Sequence, residues 1–209
     1  MSVVIDGETL TIDNVVEVAR NKANVSVSSN SWRKINSCRD MLEEKISNHE
    51  VMYGITTGIG EFSEVTLDPS ETKKFQKLLI YSHAAGIGKP MDTEIVRGAM
   101  CGRINVHSKG HSGGRKEITE YLIEALNNDL TPVVCEKGSV GACGDLSPMS
   151  QIALSLMGEG EMFVNGDIVN SKEALDNIGL KPLELEARDG LALINGSNVL
   201  TALAAIILY

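Results

Sequence analysis

The sequence predicts a mainly α-helical fold with short β-hairpins. Three observations carry that prediction. Apolar residues recur at three- and four-residue spacing over several long stretches. Capping residues bracket those stretches, and the pairs Asp6-Gly7 and Asn165-Gly166 sit in short extended runs as hairpin turns. At 209 residues and 43% hydrophobic content, the chain can bury a sizeable core in one or two domains.

Taken in order, residues 3–5 and 9–12 flank Asp6-Gly7, which predicts a β-hairpin at the start of the chain. Asp13 caps a helix running toward Ala23. Residues 28–31 cap another through about Ser47, with Trp32, Ile35, Met41, Leu42 and Ile46 for its buried side. Residues 71–80, 94–109 and 115–127 read as further helices, the second with Ile95, Ala99 and Val106 near one face, the third broken before Pro132. Ser147 and Pro148, as N-cap and first helical residue, start a short apolar helix through Met157. A hairpin over residues 161–169 and a helix over 171–177, stopped by Gly179, follow. The apolar helical run at 199–209 ends with no cap, polar tail or glycine, so it reads as cut.

Charge and cysteines narrow the partners. A net charge of −9, from 19 Lys plus Arg against 28 Asp plus Glu, disfavours nucleic-acid and anionic-membrane surfaces, which need a positive field. The start resembles no secretory signal, and no run of 18 apolar residues is present, which predicts a cytoplasmic protein. Cys38, Cys101, Cys135 and Cys143 are scattered without a Cys-x-x-Cys pair, so neither a zinc cage nor a disulfide framework is signalled. Cys38 and Cys101 read as small core residues.

The chemistry concentrates at residues 138–149, Gly-Ser-Val-Gly-Ala-Cys-Gly-Asp-Leu-Ser-Pro-Met. Attack of the Gly144 amide nitrogen on the Ala142 carbonyl would close a five-membered ring. Loss of water, and of hydrogen sulfide from Cys143, would leave an exocyclic methylidene. Glycine suits the attacking position because it has no Cβ to block the approach. From composition alone the loop reads equally as a turn or an anion cradle, although its glycine spacing is poor for a phosphate loop.

Other segments carry two readings each. Residues 53–60, Tyr-Gly-Ile-Thr-Thr-Gly-Ile-Gly, form a glycine-rich loop in which Tyr53 is either an anchor or a reactive group. His83, at a helix end, is a cap or surface residue, or a hydrogen-bonding group for a ligand. Asn195-Gly196 before Ser197 is a turn and helix cap. Gly110-His-Ser-Gly-Gly114 matches a nucleophile elbow, but the preceding text is helical and no histidine follows His111, so no triad can be completed in this chain. His107 and His111 are four apart, yet Ser108 stands where a metalloprotease motif has glutamate and no third ligand is evident; structural roles are expected and no metal.

Residues 138–148 resemble the signature of the aromatic amino acid ammonia-lyases and aminomutases, whose Ala-Ser-Gly triplet becomes the prosthetic group 4-methylideneimidazol-5-one (MIO). Here Cys143 stands where the family usually has serine; either heteroatom is expelled, so the same ring results. Tyr53-Gly-Ile-Thr-Thr-Gly-Ile-Gly60 resembles the family's catalytic tyrosine loop. Gly190-Leu-Ala-Leu-Ile-Asn-Gly-Ser197 resembles the segment whose asparagine bonds the ring, and Ser82-His83 resembles the histidine-specific branch at the position that reads the substrate side chain.

The resemblance implies the N-terminal domain of an ammonia-lyase-like helical fold, truncated within a helix and lacking the C-terminal part of the long bundle. It implies Tyr53 as catalytic base, an MIO group formed autocatalytically from Ala142, Cys143 and Gly144 with no external cofactor, and His83 and Asn195 as substrate contacts. The expected reaction converts L-histidine to urocanate and ammonia in a homotetramer, each site built from several subunits, with residues 1–209 inactive alone. Phenylalanine or tyrosine ammonia-lyase activity, 2,3-aminomutase activity, and a non-catalytic chain with an uncyclised loop are the alternatives.

Overall fold

A computed structural model describes residues 2–141 and 144–209, and all their side chains but that of Pro69. The fold is mainly α, as expected, with small sheets at its edges. In order it comprises β1 (Ser2–Ile5), α1 (Ile12–Ala19), β2 (Asn24–Val27), α2 (Ser29–Ser47), α3 (Thr72–His83), β3 (Ile87–Pro90), α4 (Thr93–Ser108) and α5 (Lys116–Asn127). Then come β4 (Thr131–Pro132), β5 (Cys135–Lys137), α6 (Leu146–Leu156), β6 (Glu161–Val164), β7 (Asp167–Asn170), α7 (Ser171–Asn177), α8 (Asp189–Ile194) and α9 (Asn198–Leu208).

The opening hairpin is not formed. β1 pairs instead with β2, in parallel, with α1 as the crossover. The cause is local: the Asp6 carboxylate accepts from the Glu8 and Thr9 amides at 2.8 Å each and from the Thr9 hydroxyl, which turns residues 7–9 away from strand geometry. Thr11, not Asp13, then caps α1 in a capping box with Asn14, and the helix stops at Ala19 rather than near Ala23. The second hairpin is present, with Asn165 and Gly166 both at positive φ between β6 and β7.

Ser28 caps α2 as predicted, by accepting from the Ser31 amide. Ile35 and Leu42 are buried on that helix, whereas Met41 is exposed; Val106 on α4 is likewise exposed. Cys101 is a core residue, its thiol pushed up to about 12 by burial, while Cys38 is only half-buried.

The core forms where α4 packs between α1, α5 and α9 and where α6 packs against α3 and α8. Gly98 and Gly102 let α4 approach α9 closely: a Cβ at Gly98 would lie 3.0 Å from that of Ala202. Ile104, Leu122, Ile152 and Leu156 are fully buried, each burial contributing roughly 1.5–3 kcal/mol. Truncating Leu122 to alanine would cost about 2–5 kcal/mol. Arg97, also buried, donates to the Val18 and Leu126 carbonyls and so ties α1 to α5.

Residues Asp189–Leu208 together are long and apolar enough to cross a bilayer, which the sequence reading did not expect. The segment is broken between α8 and α9 at residues 195–197, and α8 is buried throughout within this fold.

Candidate functional site

Ala142 and Cys143 lie outside the described residues; the chain on either side of them is described. The Gly144 amide donates to the Gly141 carbonyl at 2.7 Å, and the Val140 amide donates back to the Gly144 carbonyl at 3.0 Å. A Cβ at Gly144 would sit 2.8 Å from both the nitrogen and the oxygen of Gly141, so only glycine fits. The fit to an MIO group rests on one point: residue 144 must be glycine here, as the attacking position of an MIO-forming triplet requires.

Asp145 and not Ser147 holds the N-cap position of α6, and Pro148 falls at the third helical position instead of the first. Proline is tolerated there because first-turn amides have no intrahelical acceptor. The Asp145 carboxylate, fully buried, accepts from the Leu200 amide at 2.9 Å in the first turn of α9. It thereby locks the end of the glycine-rich loop to the first turn of α9, which starts two residues beyond Asn195-Gly196.

Asn195 caps the C-terminus of α8. Its amide donates to the Leu191 carbonyl at 3.0 Å, and its carbonyl accepts from the buried Arg103 guanidinium at 3.1 Å. Gly196 is needed for that approach, since a Cβ there would meet the guanidinium at 2.4 Å. Asn195 borders a cleft of about 230 Å³ shared with Arg103, His111 and Arg188.

His83 ends α3, half-buried. Its Nδ1 lies 2.9 Å from the Leu79 carbonyl and 2.9 Å from the Ser82 hydroxyl. A carbonyl only accepts, so the neutral ring carries its proton on Nδ1 and presents Nε2 as the acceptor. The following turn packs against the glycine-rich loop: Gly138 would place a Cβ 3.4 Å from the Gly86 Cα, and Gly86 one 2.5 Å from Gln151 of α6. His83, the residue-144 turn and Asn195 therefore belong to segments pinned around α6, α8 and the start of α9.

Tyr53 sits apart from these three. It is 55% exposed, and its hydroxyl accepts from the Gly60 amide at 3.1 Å, within its own loop. Thr56 and Thr57 fasten that loop internally, through the Met52 and Gly54 amides. The loop meets α8 at its other end, where Gly54 lies so close to Leu191 that a Cβ would approach Cδ2 to 2.6 Å. Behind it is a cavity of about 550 Å³, lined by Arg39, Ile46, Val51, Thr66, Lys73 and Glu186 among others, which none of the four described candidates borders.

Three polar residues that the sequence reading passed over hold this arrangement. Asp189, fully buried, accepts from the Arg115 amide at 2.9 Å, the Arg115 side chain at 2.7 Å and the Glu186 amide at 3.0 Å, anchoring the start of α8. Gln76, also fully buried, bonds Gly54 and Leu191. Asp145 was inside the quoted motif and so was within reach; Gln76 and Asp189 have partners remote in sequence and left no local signal.

The two false leads resolve structurally. His107 is buried with Nδ1 2.9 Å from the Thr119 hydroxyl and Nε2 3.0 Å from the Ala192 carbonyl, so the ring bridges α4, α5 and α8 and has no nitrogen left for a metal. Among the described residues no group of three metal-ligating side chains occurs. Ser112 follows helix α4, not a strand, and its carbonyl accepts from Arg188 at 2.7 Å.

Comparison with known proteins agrees with this architecture. Residues 10–209 match the family model described as aromatic amino acid lyase, and the chain belongs to that family. It is 43% identical over 207 residues to histidine ammonia-lyase of Alkaliphilus oremlandii, an alignment covering 99% of this chain and 41% of that protein. Among solved structures, ergothionase from Treponema denticola, in complex with desmethyl-ergothioneine sulfonic acid, superposes with a TM-score of 0.96 at 28% identity, over 100% of this chain and 42% of that one. Tyrosine aminomutase from Streptomyces globisporus gives 0.93 at 37% identity, over 100% and 39%. The chain thus spans about two fifths of the length of these relatives.

Proposed function

We propose that these residues are the N-terminal part of a histidine ammonia-lyase, a cytoplasmic homotetramer that converts L-histidine to urocanate and ammonia. The observation that carries the reading is the turn at residue 144. Its nitrogen is folded onto the Gly141 carbonyl in a space that admits no Cβ, next to the Ala142-Cys143 pair. Ala142, Cys143 and Gly144 would hold the MIO group, which, once formed, supplies an electrophilic methylidene to the substrate amino group.

This chain's own residues do the remaining work. Tyr53 Oη takes the β-proton as general base. The family resemblance implies sites built from several subunits, so the exposed Tyr53 would serve a site completed by a neighbouring subunit, which would make assembly part of catalysis. His83 offers the Nε2 lone pair to the substrate imidazole N–H, a contact that a phenyl ring could not repay. Asn195, held by Arg103 at the end of α8, positions the amino acid beside residue 144.

The second reading, an aminomutase on another aromatic amino acid, draws on the tyrosine aminomutase likeness. Full-length protein decides between them. Urocanate absorbance appearing from histidine, with an intact mass short by one water and one hydrogen sulfide, supports the lyase. A β-amino acid product supports the aminomutase, and an unchanged mass means an uncyclised, non-catalytic loop. Residues 1–209 alone are expected to show no turnover.

A further inference from the structure

We propose that Gln76 is the positioning residue for Tyr53, setting the height of the tyrosine loop against α8; the inference rests on the reading of Tyr53 as base. Gln76 sits mid-way along α3, where a polar side chain ordinarily faces solvent, yet it is fully buried. Its amide nitrogen donates to the Gly54 carbonyl at 3.4 Å, one residue after Tyr53, and its amide oxygen accepts from the Leu191 amide at 3.3 Å. Leu191 is the third residue of α8, so its N–H is one of the first-turn donors with no intrahelical acceptor.

One side chain therefore satisfies a buried acceptor in the loop and a buried donor in the helix, and among the described residues no other side-chain hydrogen bond of the loop reaches beyond residues 50–60. Two glycines make room for it. A Cβ at Gly190 would lie 2.9 Å from both the Gln76 side-chain oxygen and its carbonyl, and one at Gly54 would strike Leu191. Buried amides are costly to leave unpaired, so these close approaches fix loop and helix at one separation. Since α8 runs from this clamp to Asn195, Gln76 links the height of Tyr53 to the same short helix that carries the substrate contact.

The test uses the full-length protein with Gln76→Met, which keeps the volume and removes both bonds, and Gln76→Glu, which as a carboxylate keeps the acceptor for Leu191 and loses the donor to Gly54. Both variants are expected to lose about 10- to 100-fold in kcat with KM for histidine within about twofold. Amides of residues 54–60 are expected to exchange with deuterium faster than in the parent, while those of α4 and α5 do not. Wild-type kcat in a folded variant, or exchange that rises equally in α4 and α5, overturns the inference and leaves the lyase reading standing. If the parent protein turns over no amino acid, the lyase reading fails, and the exchange pattern alone decides whether Gln76 clamps the loop. Should the methionine variant not fold, the glutamate variant carries both readouts.

Discussion

Two polar regions meet at Gln76, and they are built in opposite ways. In the tyrosine loop the polar groups bond near neighbours: Tyr53 with Gly60, Thr56 with Met52, Thr57 with Gly54, and although Gly54, Ile55, Thr57 and Gly58 are buried, Tyr53 and Gly60 stand exposed. Around α8 the polar groups are buried and bond across the chain: Asp189 with Arg115, His107 with Ala192, Arg103 with Asn195. The loop thus keeps its own shape but is placed by others, whereas the α8 region places others and has little free to react. Reactive groups belong to the first kind of region and stability to the second, so substitutions should separate cleanly into losses of turnover and losses of folding.

The largest effect is expected at the turn. Gly144→Ala puts a methyl 2.8 Å from the Gly141 backbone, so the residue-144 nitrogen can no longer fold back. In full-length protein, turnover should vanish and the intact mass should equal that of the unmodified chain. Residual activity with an unmodified mass would break the link between this turn and the chemistry.

Tyr53→Phe comes next, with an expected loss of about 10²–10⁴ in kcat. It removes only an exposed bond to the Gly60 amide, so the melting temperature should stay within about 3 °C. A drop in stability matching the drop in rate would erase the distinction between the two regions. Asp189→Ala sharpens it from the other side. Removing a buried acceptor strands the Arg115 side chain and two amides, at about 3–5 kcal/mol in urea unfolding.

How much of this was legible follows the same division. Local rules wrote the Asn165-Gly166 hairpin and the Ser28 cap into the sequence, and both formed where the residues predict them. The opening hairpin failed because a single side chain, Asp6, bonded the Glu8 and Thr9 amides and left β1 to pair with a strand nearly twenty residues on. Asp145 rather than Ser147 holds the N-cap position, with its carboxylate bonded to the Leu200 amide of α9 and not to its own helix, a contact no local pattern encodes. The strands β3 and β5 are short and irregular in register, with Pro90 at the end of one, so no alternation marks them. Tyr53, His83 and Asn195 stood out only through the family resemblance, and Gln76 and Asp189 not at all, since Leu191, which Gln76 holds, and Arg115, which Asp189 holds, lie 115 and 74 residues away.

The smallest effect, and the one that tests the α8 region by pH, falls on His107. Burial, aided by the Arg103 charge, lowers its pKa from 6.5 to about 3. Its two hydrogen bonds use the neutral ring, with Nε2–H donating to Ala192 and Nδ1 accepting from Thr119. A histidine whose folded pKa is depressed binds its proton first in the unfolded chain. Its contribution is therefore complete above pH 6.5 and falls steadily as pH drops toward 3. Between pH 7 and pH 5 the expected loss is about 2 kcal/mol. His107→Gln, which can keep one donor and one acceptor, should unfold more readily at pH 7 yet show a flatter decline to pH 5. A parallel decline in both proteins would mean that the acid sensitivity of the fold lies elsewhere than at the junction of α4, α5 and α8.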